Sequence, residues 1–407
     1  MRFLIVNKFL FFNGGSEACM FDVVRLLKEH GHEVAYLSMQ HPRNVVTEDP
    51  AYLVSDVDFN APEGLSAKGR AAARMLYSFE ARALMERAIR EQRPDVALLH
   101  NIYHQLSPSV LAPLRRHGVP AIMTLHDYKM TCPVYTHFRR GVPCERCRNG
   151  AYFRCAWGRC SKGSLPASLL AAFETTLHQR VLHLYDAVTE FVSPSRFLAA
   201  KLVELGFRKP IHHLPNFIDA GSVEAGQGAG ERAFVYFGRL IPEKGLDTLV
   251  LAMADVSASC HIIGDGPLRD RLAALAGERD VGNVVFTPHV PFAELENRVR
   301  NARAVVLPSR WYENAPRSVL EAFALGKPVV GARVGGIPEL VEDGVTGLTF
   351  SPGDVADLRR ALLLMLSDKA RVAAMGIQAR KLVEERFGPA AYYDGLMALC
   401  ERARARA

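Results

Sequence analysis

The sequence predicts an α/β protein made of two doubly wound parallel-sheet lobes. Strand and helix patterns alternate through two successive series, and the Gly- and Ala-rich stretch 219–231 separates them. Glycines and charged residues gather just past several strand ends, where such sheets bind ligands. A chain of 407 residues, 49% hydrophobic and 23% charged, supports two globular domains and excludes a disordered or fibrous protein. No apolar run approaches the roughly 20 residues of a bilayer span.

In the first series, residues 2–7 read as a buried strand, cut short by Asn7 and Lys8. Gly14-Gly15 and a helix near 16–30 follow, with Met20, Val23, Val24 and Leu27 on its apolar side. Then come strand 33–38, a polar stretch, a helix at about 70–92, strand 95–100, a helix near 106–117 and strand 121–126. Beyond a cysteine-rich insert lie a helix near 164–185, strand 187–192 and a helix opened by Ser193-Pro194. The second series has strands at 233–237, 260–263, 284–286, 304–307 and 328–331, with helices between them. Helical stretches at about 354–366, 369–385 and 389–404 end it. The expected domains are 1–215, with the insert at 128–163, and 216–386, followed by a helical segment at 387–407.

Lys plus Arg number 50 against 43 Asp plus Glu, a net charge of +7. The segment 127–162 holds eight basic residues and two acids, so most of that excess is local. Such a patch suits an anionic partner, or is a solvated loop. Five of the eight cysteines fall there: Cys132, Cys144, Cys147, Cys155 and Cys160. Cys144, Cys147, Cys155 and Cys160 have a spacing that would suit structural zinc, with Cys132 as a substitute ligand; independent reduced thiols are the alternative. The start lacks a signal-peptide pattern, so a cytoplasmic protein is expected.

Five strand-end motifs carry the candidate chemistry. Gly14-Gly15 would let backbone amides approach an anion at a helix start. In Phe237-Gly238-Arg239-Leu240 and Pro242-Glu243-Lys244-Gly245, two cations bracket a turn and suit phosphate oxygens, unless they only pair with Glu243. Ile263-Gly264-Asp265-Gly266-Pro267 makes a tight turn before a helix. Glu313 and Glu321, seven residues apart, would hold two hydroxyl-bearing parts of one ligand, beside free backbone amides from Asn314 onward; two solvated surface acids are the alternative. His126, at a strand end, would donate to phosphate or a sugar hydroxyl.

Together with Gly335-Gly336-Ile337-Pro338-Glu339, these motifs resemble the retaining GT-B glycosyltransferases of family 4, over nearly the whole chain. The resemblance implies two Rossmann-like domains facing across a cleft, with a last helix returning to the N-terminal one. It implies that Arg239 and Lys244 hold the donor diphosphate, with Gly15, Gly238 and Gly264 lining the donor site. Glu313 would bind the transferred sugar with the amides of Asn314 and Ala315, Glu321 the ribose, and His126 the reacting centre. The donor would be a UDP- or GDP-sugar. The acceptor would be a glycan or a lipid-linked, anionic molecule in cell-surface polysaccharide biosynthesis. One departure is Asn314-Ala315, where many members have Gly-Phe. Asp56-Val57-Asp58 has a metal-binding pattern but falls in the polar stretch, so Arg239 and Lys244 are expected to act without a catalytic metal. Peripheral contact with the inner membrane face, through the insert or Phe9–Phe12, is a further expectation. The rival readings are a nucleotide-sugar epimerase on the same fold and a nucleic-acid-binding protein using the Cys/Arg insert. The second is opposed by near-neutral charge elsewhere and by the lack of a reading helix in the insert.

Overall fold

The computed structural model describes residues 1–57, 59 and 64–406. Asp58, the second acid of the Asp-x-Asp pattern, lies outside them. The first lobe holds a seven-stranded, all-parallel sheet. Its strands are β1 (Arg2–Val6), β2 (Glu33–Met39), β3 (Ala51–Val54), β4 (Val96–Leu99), β5 (Ala121–Thr124), β8 (Glu190–Ser193) and β9 (Ile211–His213). A two-stranded antiparallel hairpin, β6 (Phe138–Arg139) and β7 (Val142–Pro143), belongs to the insert. The large sheet runs β3-β2-β1-β4-β5-β8-β9, so β1 is near its centre with Phe3 opposite both Val34 and Val96. Phe3 to Val6 are all buried, as a strand covered on both faces requires. The second lobe has β10 (Ala233–Phe237), β11 (Ser259–Ile263), β12 (Val284–Thr287), β13 (Ala304–Leu307), β14 (Val329–Ala332) and β15 (Gly347–Phe350), in the order β12-β11-β10-β13-β14-β15. Both sheets are doubly wound, as expected. Each reverses direction beside its first strand, which opens a crevice at the strand ends.

Five strands are additions to the sequence reading: β3, β9 and β15 in the large sheets, and β6 and β7 in the insert. The single helix expected at 70–92 is two, Gly64–Leu76 and Phe79–Gln92. Ser78 divides them because its side chain accepts from the Ala81 N–H at 3.1 Å and starts a new helix. The 219–231 stretch is not a free loop: Gly226 N–H donates to Leu325 O and Glu231 N–H to Asn301 O, so it lies along the second lobe.

The helix Pro389–Arg404 packs on the first lobe. Leu396, Leu399, Cys400 and Ala403 share a core with Phe3, Ile5, Val24 and Leu27. Arg402 and Arg406 both reach the buried carboxylate of Glu190 on β8, at 3.2 and 2.9 Å. Among the described residues no helix is long and apolar enough to cross a membrane.

Candidate functional site

The donor-side loops leave the ends of β10, β11 and β13. Gly238 and Gly264 both have positive φ, and a Cβ on Gly264 would sit 2.1 Å from the Gly238 carbonyl oxygen. Only glycine lets these two loops touch. Tyr236 donates its hydroxyl to the Arg239 carbonyl at 2.9 Å and fixes the loop that presents that guanidinium. Lys244 ends a short turn, and its Nζ donates to Glu313 Oε1 at 2.6 Å rather than pairing with Glu243. Ser309 donates to the same oxygen at 2.5 Å, and the Lys244 ammonium stands 5.7 Å over the Trp311 ring. Glu313 is only 4% exposed, so it is no solvated surface acid. Burial pushes its carboxyl up, but Lys244 and the Ser309 hydroxyl outweigh burial and hold it below the ordinary range.

The Glu313 loop is tied to the opposite lobe. Asn314 Nδ2 donates to the carbonyls of Leu125 and His126 at 3.1 and 3.3 Å, and Asn314 Oδ1 accepts from Ser195 at 2.7 Å. This accounts for asparagine in place of the commoner glycine: its side chain bridges the lobes. From behind, Gly336 N–H donates to the Glu313 carbonyl at 2.8 Å, and a Cβ there would lie 1.9 Å from Asn314 O. Glu339 accepts from the N–H groups of Arg196 and Phe197, satisfying the start of helix Arg196–Glu204 across the cleft. No backbone carbonyl among the described residues takes up the N–H groups of Asn314 and Ala315.

On the other wall, Gly15 opens the helix Gly15–Glu29, and a Cβ on it would face Arg317 Cβ at 3.9 Å. Arg317 pairs with Asp22 of the first lobe and, at 2.7 Å, with Glu321. Glu321 is thus already engaged, and it shares a small apolar cavity wall with Phe237 and Phe292. His126 Nε2 and His100 Nδ1 share a hydrogen bond of 2.8 Å. Burial, with the charge of Lys8, lowers the His126 imidazolium to about 4, and burial beside His126 takes His100 well below its usual value. Both rings are therefore neutral near pH 7, and Nδ1 of His126 is the nitrogen left over. Sequence reasoning missed His100 and Lys8. Burial lowers the Lys8 ammonium against the opposing pull of Asp127 and Glu17, with Arg239 lowering it further. The available signal for both was position: His100 directly follows β4, and Lys8 lies two residues past β1.

The structure thus gathers Gly15 and His126 from one lobe with Gly238, Arg239, Lys244, Gly264, Glu313, Asn314, Ala315 and Glu321 from the other. The four candidate zinc ligands stand apart, in the insert. Cys147 and Cys155 form a small buried cluster with Tyr152 and Ala172, against Cys160. The Cys155 and Cys160 thiols interact, and that interaction, with the charges of Arg139 and Arg146, lowers the Cys160 thiol. Among the described residues no three His, Cys, Asp or Glu side chains are arranged to hold a metal ion. A zinc on Cys144, Cys147, Cys155 and Cys160 would have to draw their sulfurs together. The insert also contains a helix the sequence reading lacked, Phe153–Gly158, though it is only six residues long. Its base is anchored by a buried ion pair, Lys129 to Glu174 at 2.6 Å. Its rim meets the second lobe where Glu145 accepts from Tyr312 OH at 2.8 Å and from Lys201 at 3.0 Å. In the Phe9–Phe12 run, Leu10 and Phe11 are buried and Phe12 is exposed against Phe21.

Comparison with known proteins agrees with this arrangement. The profile of Glycosyltransferase Family 4 matches residues 13–221, and that of Glycosyl transferases group 1 matches residues 222–382. The chain is 33% identical over 239 residues to a GDP-mannose-dependent alpha-(1-6)-phosphatidylinositol monomannoside mannosyltransferase of Mycolicibacterium smegmatis, covering 52% of this chain and 61% of that one. It is 31% identical over 279 residues to the 2-deoxystreptamine glucosyltransferase of Streptomyces kanamyceticus, covering 67% of each. The chain therefore spans 61% of the mannosyltransferase, and 30% of another relative, the Arabidopsis thaliana sulfoquinovosyl transferase. In fold it is similar to a sucrose-phosphate synthase from Thermosynechococcus elongatus, with a TM-score of 0.75 at 18% identity over 100% of both chains. It is also similar to Anabaena HepE in complex with UDP and glucose, with a TM-score of 0.70 at 17% identity over 98% of this chain and 99% of that one. With two parallel-sheet lobes in the GT-B arrangement and a family match across more than half its length, the chain belongs to glycosyltransferase family 4.

Proposed function

We propose that this protein transfers a sugar from a UDP- or GDP-linked donor to a glycan or lipid-linked acceptor, with retention of configuration and without a catalytic metal. The observation that carries the reading is the buried Lys244–Glu313 pair at the strand ends of the second lobe, in one cleft with Arg239. In the reaction the bond from C1 of the sugar to the phosphate oxygen breaks, the oxygen of an acceptor hydroxyl takes C1, and the hydroxyl proton leaves with the diphosphate. Charge grows on the departing diphosphate. Arg239 and Lys244, fixed by their loops, would stabilise that charge, together with the amides near Gly15. Glu313 would accept from sugar hydroxyls with one oxygen while Lys244 holds the other. Glu321 would take the ribose hydroxyls, with Arg317 orienting it. His126 Nδ1 would face the sugar, its ring fixed by His100. UDP in the HepE structure and GDP-mannose in the name of the mycobacterial relative support these two donor classes. Retention and metal independence rest on the family resemblance, and the anionic acceptor on the basic insert.

A thermal-shift screen against nucleotide-sugars tests the donor. A true donor at about 100 times its Kd adds roughly 2.7 kcal/mol of stability and raises Tm, since it binds only the folded state. No shift with any UDP- or GDP-sugar would count against the reading. Donor consumption that depends on added acceptor separates transfer from epimerisation. Glu321→Ala is expected to raise the KM for donor about 10- to 100-fold, the worth of hydrogen bonds to a charged group. An unchanged KM would remove Glu321 from the ribose site.

A further inference from the structure

The insert and the helix after it carry an apolar surface that the transfer reaction does not use. Helix Leu165–Thr176 buries Ser168, Ala171, Ala172 and Thr175 against the lobe. Its other face exposes Leu165, Leu169 and Phe173, spaced four apart, at 42%, 53% and 57%. Spacing by four puts these side chains in one stripe along the helix. Helix Phe153–Gly158 packs against this helix and does the same. It buries Cys155 and Ala156 and exposes Phe153 and Trp157, the latter at 81%, in an edge-on ring contact of 6.4 Å. Large apolar side chains presented this way on two packed helices are costly to leave in water without a partner.

The charge beside this surface identifies the partner. Phe153 lines a shallow basin of about 540 Å³ together with Arg148, Arg154 and Arg180. Arg180 donates to the Asn149 carbonyl and Arg154 to that of Arg146, and none of the three arginines pairs with a carboxylate among the described residues. Elsewhere on this chain most helix-borne arginines have an acid within reach, as Arg298 has Glu294 and Arg380 has Glu384. A nucleic acid would use the arginines but leave the Leu165, Leu169 and Phe173 stripe wet. A protein groove would cover the stripe but gain little from three guanidiniums lacking a counter-charge. A bilayer with anionic headgroups meets both demands, with aromatic and aliphatic side chains entering at headgroup level and arginines meeting phosphates.

We propose that the exposed faces of helices 153–158 and 165–176, with the Arg148–Arg154–Arg180 basin, form a docking surface for anionic phospholipid bilayer. The surface is independent of the donor reading. It is built on the Cys/Arg insert and the following helix rather than on the Phe9–Phe12 run.

Cosedimentation of the full chain with vesicles tests this directly. Wild-type protein should pellet with phosphatidylcholine–phosphatidylglycerol vesicles and stay in solution with phosphatidylcholine alone. The emission of Trp157 should shift to shorter wavelength on binding, a shift lost in Trp157→Phe. Leu169→Ser/Phe173→Ser should weaken partitioning about tenfold or more, and Arg148→Ala/Arg154→Ala roughly fivefold per arginine. All four residues are exposed or on the basin rim, so both variants should keep the wild-type Tm and the donor-induced thermal shift. That shift separates a failed docking surface from a failed transferase. The proposal is overturned if wild type stays in solution with the anionic vesicles, or if both double variants pellet as wild type. Retention on polyuridylate without vesicle binding would assign the arginines to nucleic acid instead.

Discussion

Lys244→Ala is expected to lower kcat about 10²- to 10³-fold, the usual cost of losing one preorganised donor to developing charge. The substitution removes a cation that meets the leaving diphosphate and the residue that holds Glu313 Oε1 at 2.6 Å. Both effects fall on the same step, since Glu313 would then be held by Ser309 alone. The fold should survive, because Ser309 still donates to Glu313. Tm should nevertheless fall, as a carboxylate only 4% exposed loses its charge partner. Steady-state turnover and far-UV circular dichroism on the same preparation decide the matter. Wild-type turnover in this variant would refute the role of Lys244. Lost turnover with lost circular dichroism would show a structural role alone.

The second large effect concerns stability. Lys129→Met should destabilise the protein by about 3–5 kcal/mol, because it strands the Glu174 carboxylate where water does not reach. Lys129 and Glu174 are 1% and 0% exposed, and the ammonium also donates to the Pro133 carbonyl at 3.1 Å. Burial alone would raise the Glu174 carboxyl, but Lys129 and His178 overcome burial and lower it to about 2. A carboxyl lowered on folding contributes stability that is fully present above its unfolded value near 4.5 and is lost as pH falls toward about 2. Wild-type protein should therefore weaken across that window. In Lys129→Met burial is no longer outweighed by the ammonium, the folded carboxyl rises, and this acid-dependent loss should shrink, so the stability gap between the two proteins closes as pH falls below about 4.5. Denaturant melts at a series of acidic pH values would read the closing gap, and a gap that does not change with pH would deny the pair this role.

What the sequence discloses about this protein depends on how local each signal is. β1, β10 and β13 are legible because strands buried on both faces must be apolar throughout. β3 escapes because it is a four-residue edge strand whose exposure alternates and which starts after Pro50. β15 escapes because it opens on a glycine, where a Cβ would collide with Val329 O at 1.9 Å. Glu313, Lys244 and Arg239 are legible as a pattern, yet the ion pair joins positions 69 residues apart and only folding reveals it. The role of Asn314 as a bridge is illegible for the same reason, since its carbonyl partners lie 188 and 189 residues upstream. Lys8 reads in the sequence merely as the residue that stops a strand. Its burial near Asp127 and Arg239 comes from the two lobes meeting above it.

The returning helix Pro389–Arg404 has a consequence for biosynthesis. A ribosome makes the segment that fills the gap over Phe3 and Ile5 only after the strands of both sheets. Until then the nascent first lobe shows water an open apolar trough and keeps Glu190 without Arg402 and Arg406. The newborn polypeptide should therefore recruit chaperones through its first lobe, and release them only once the helix Pro389–Arg404 has been made.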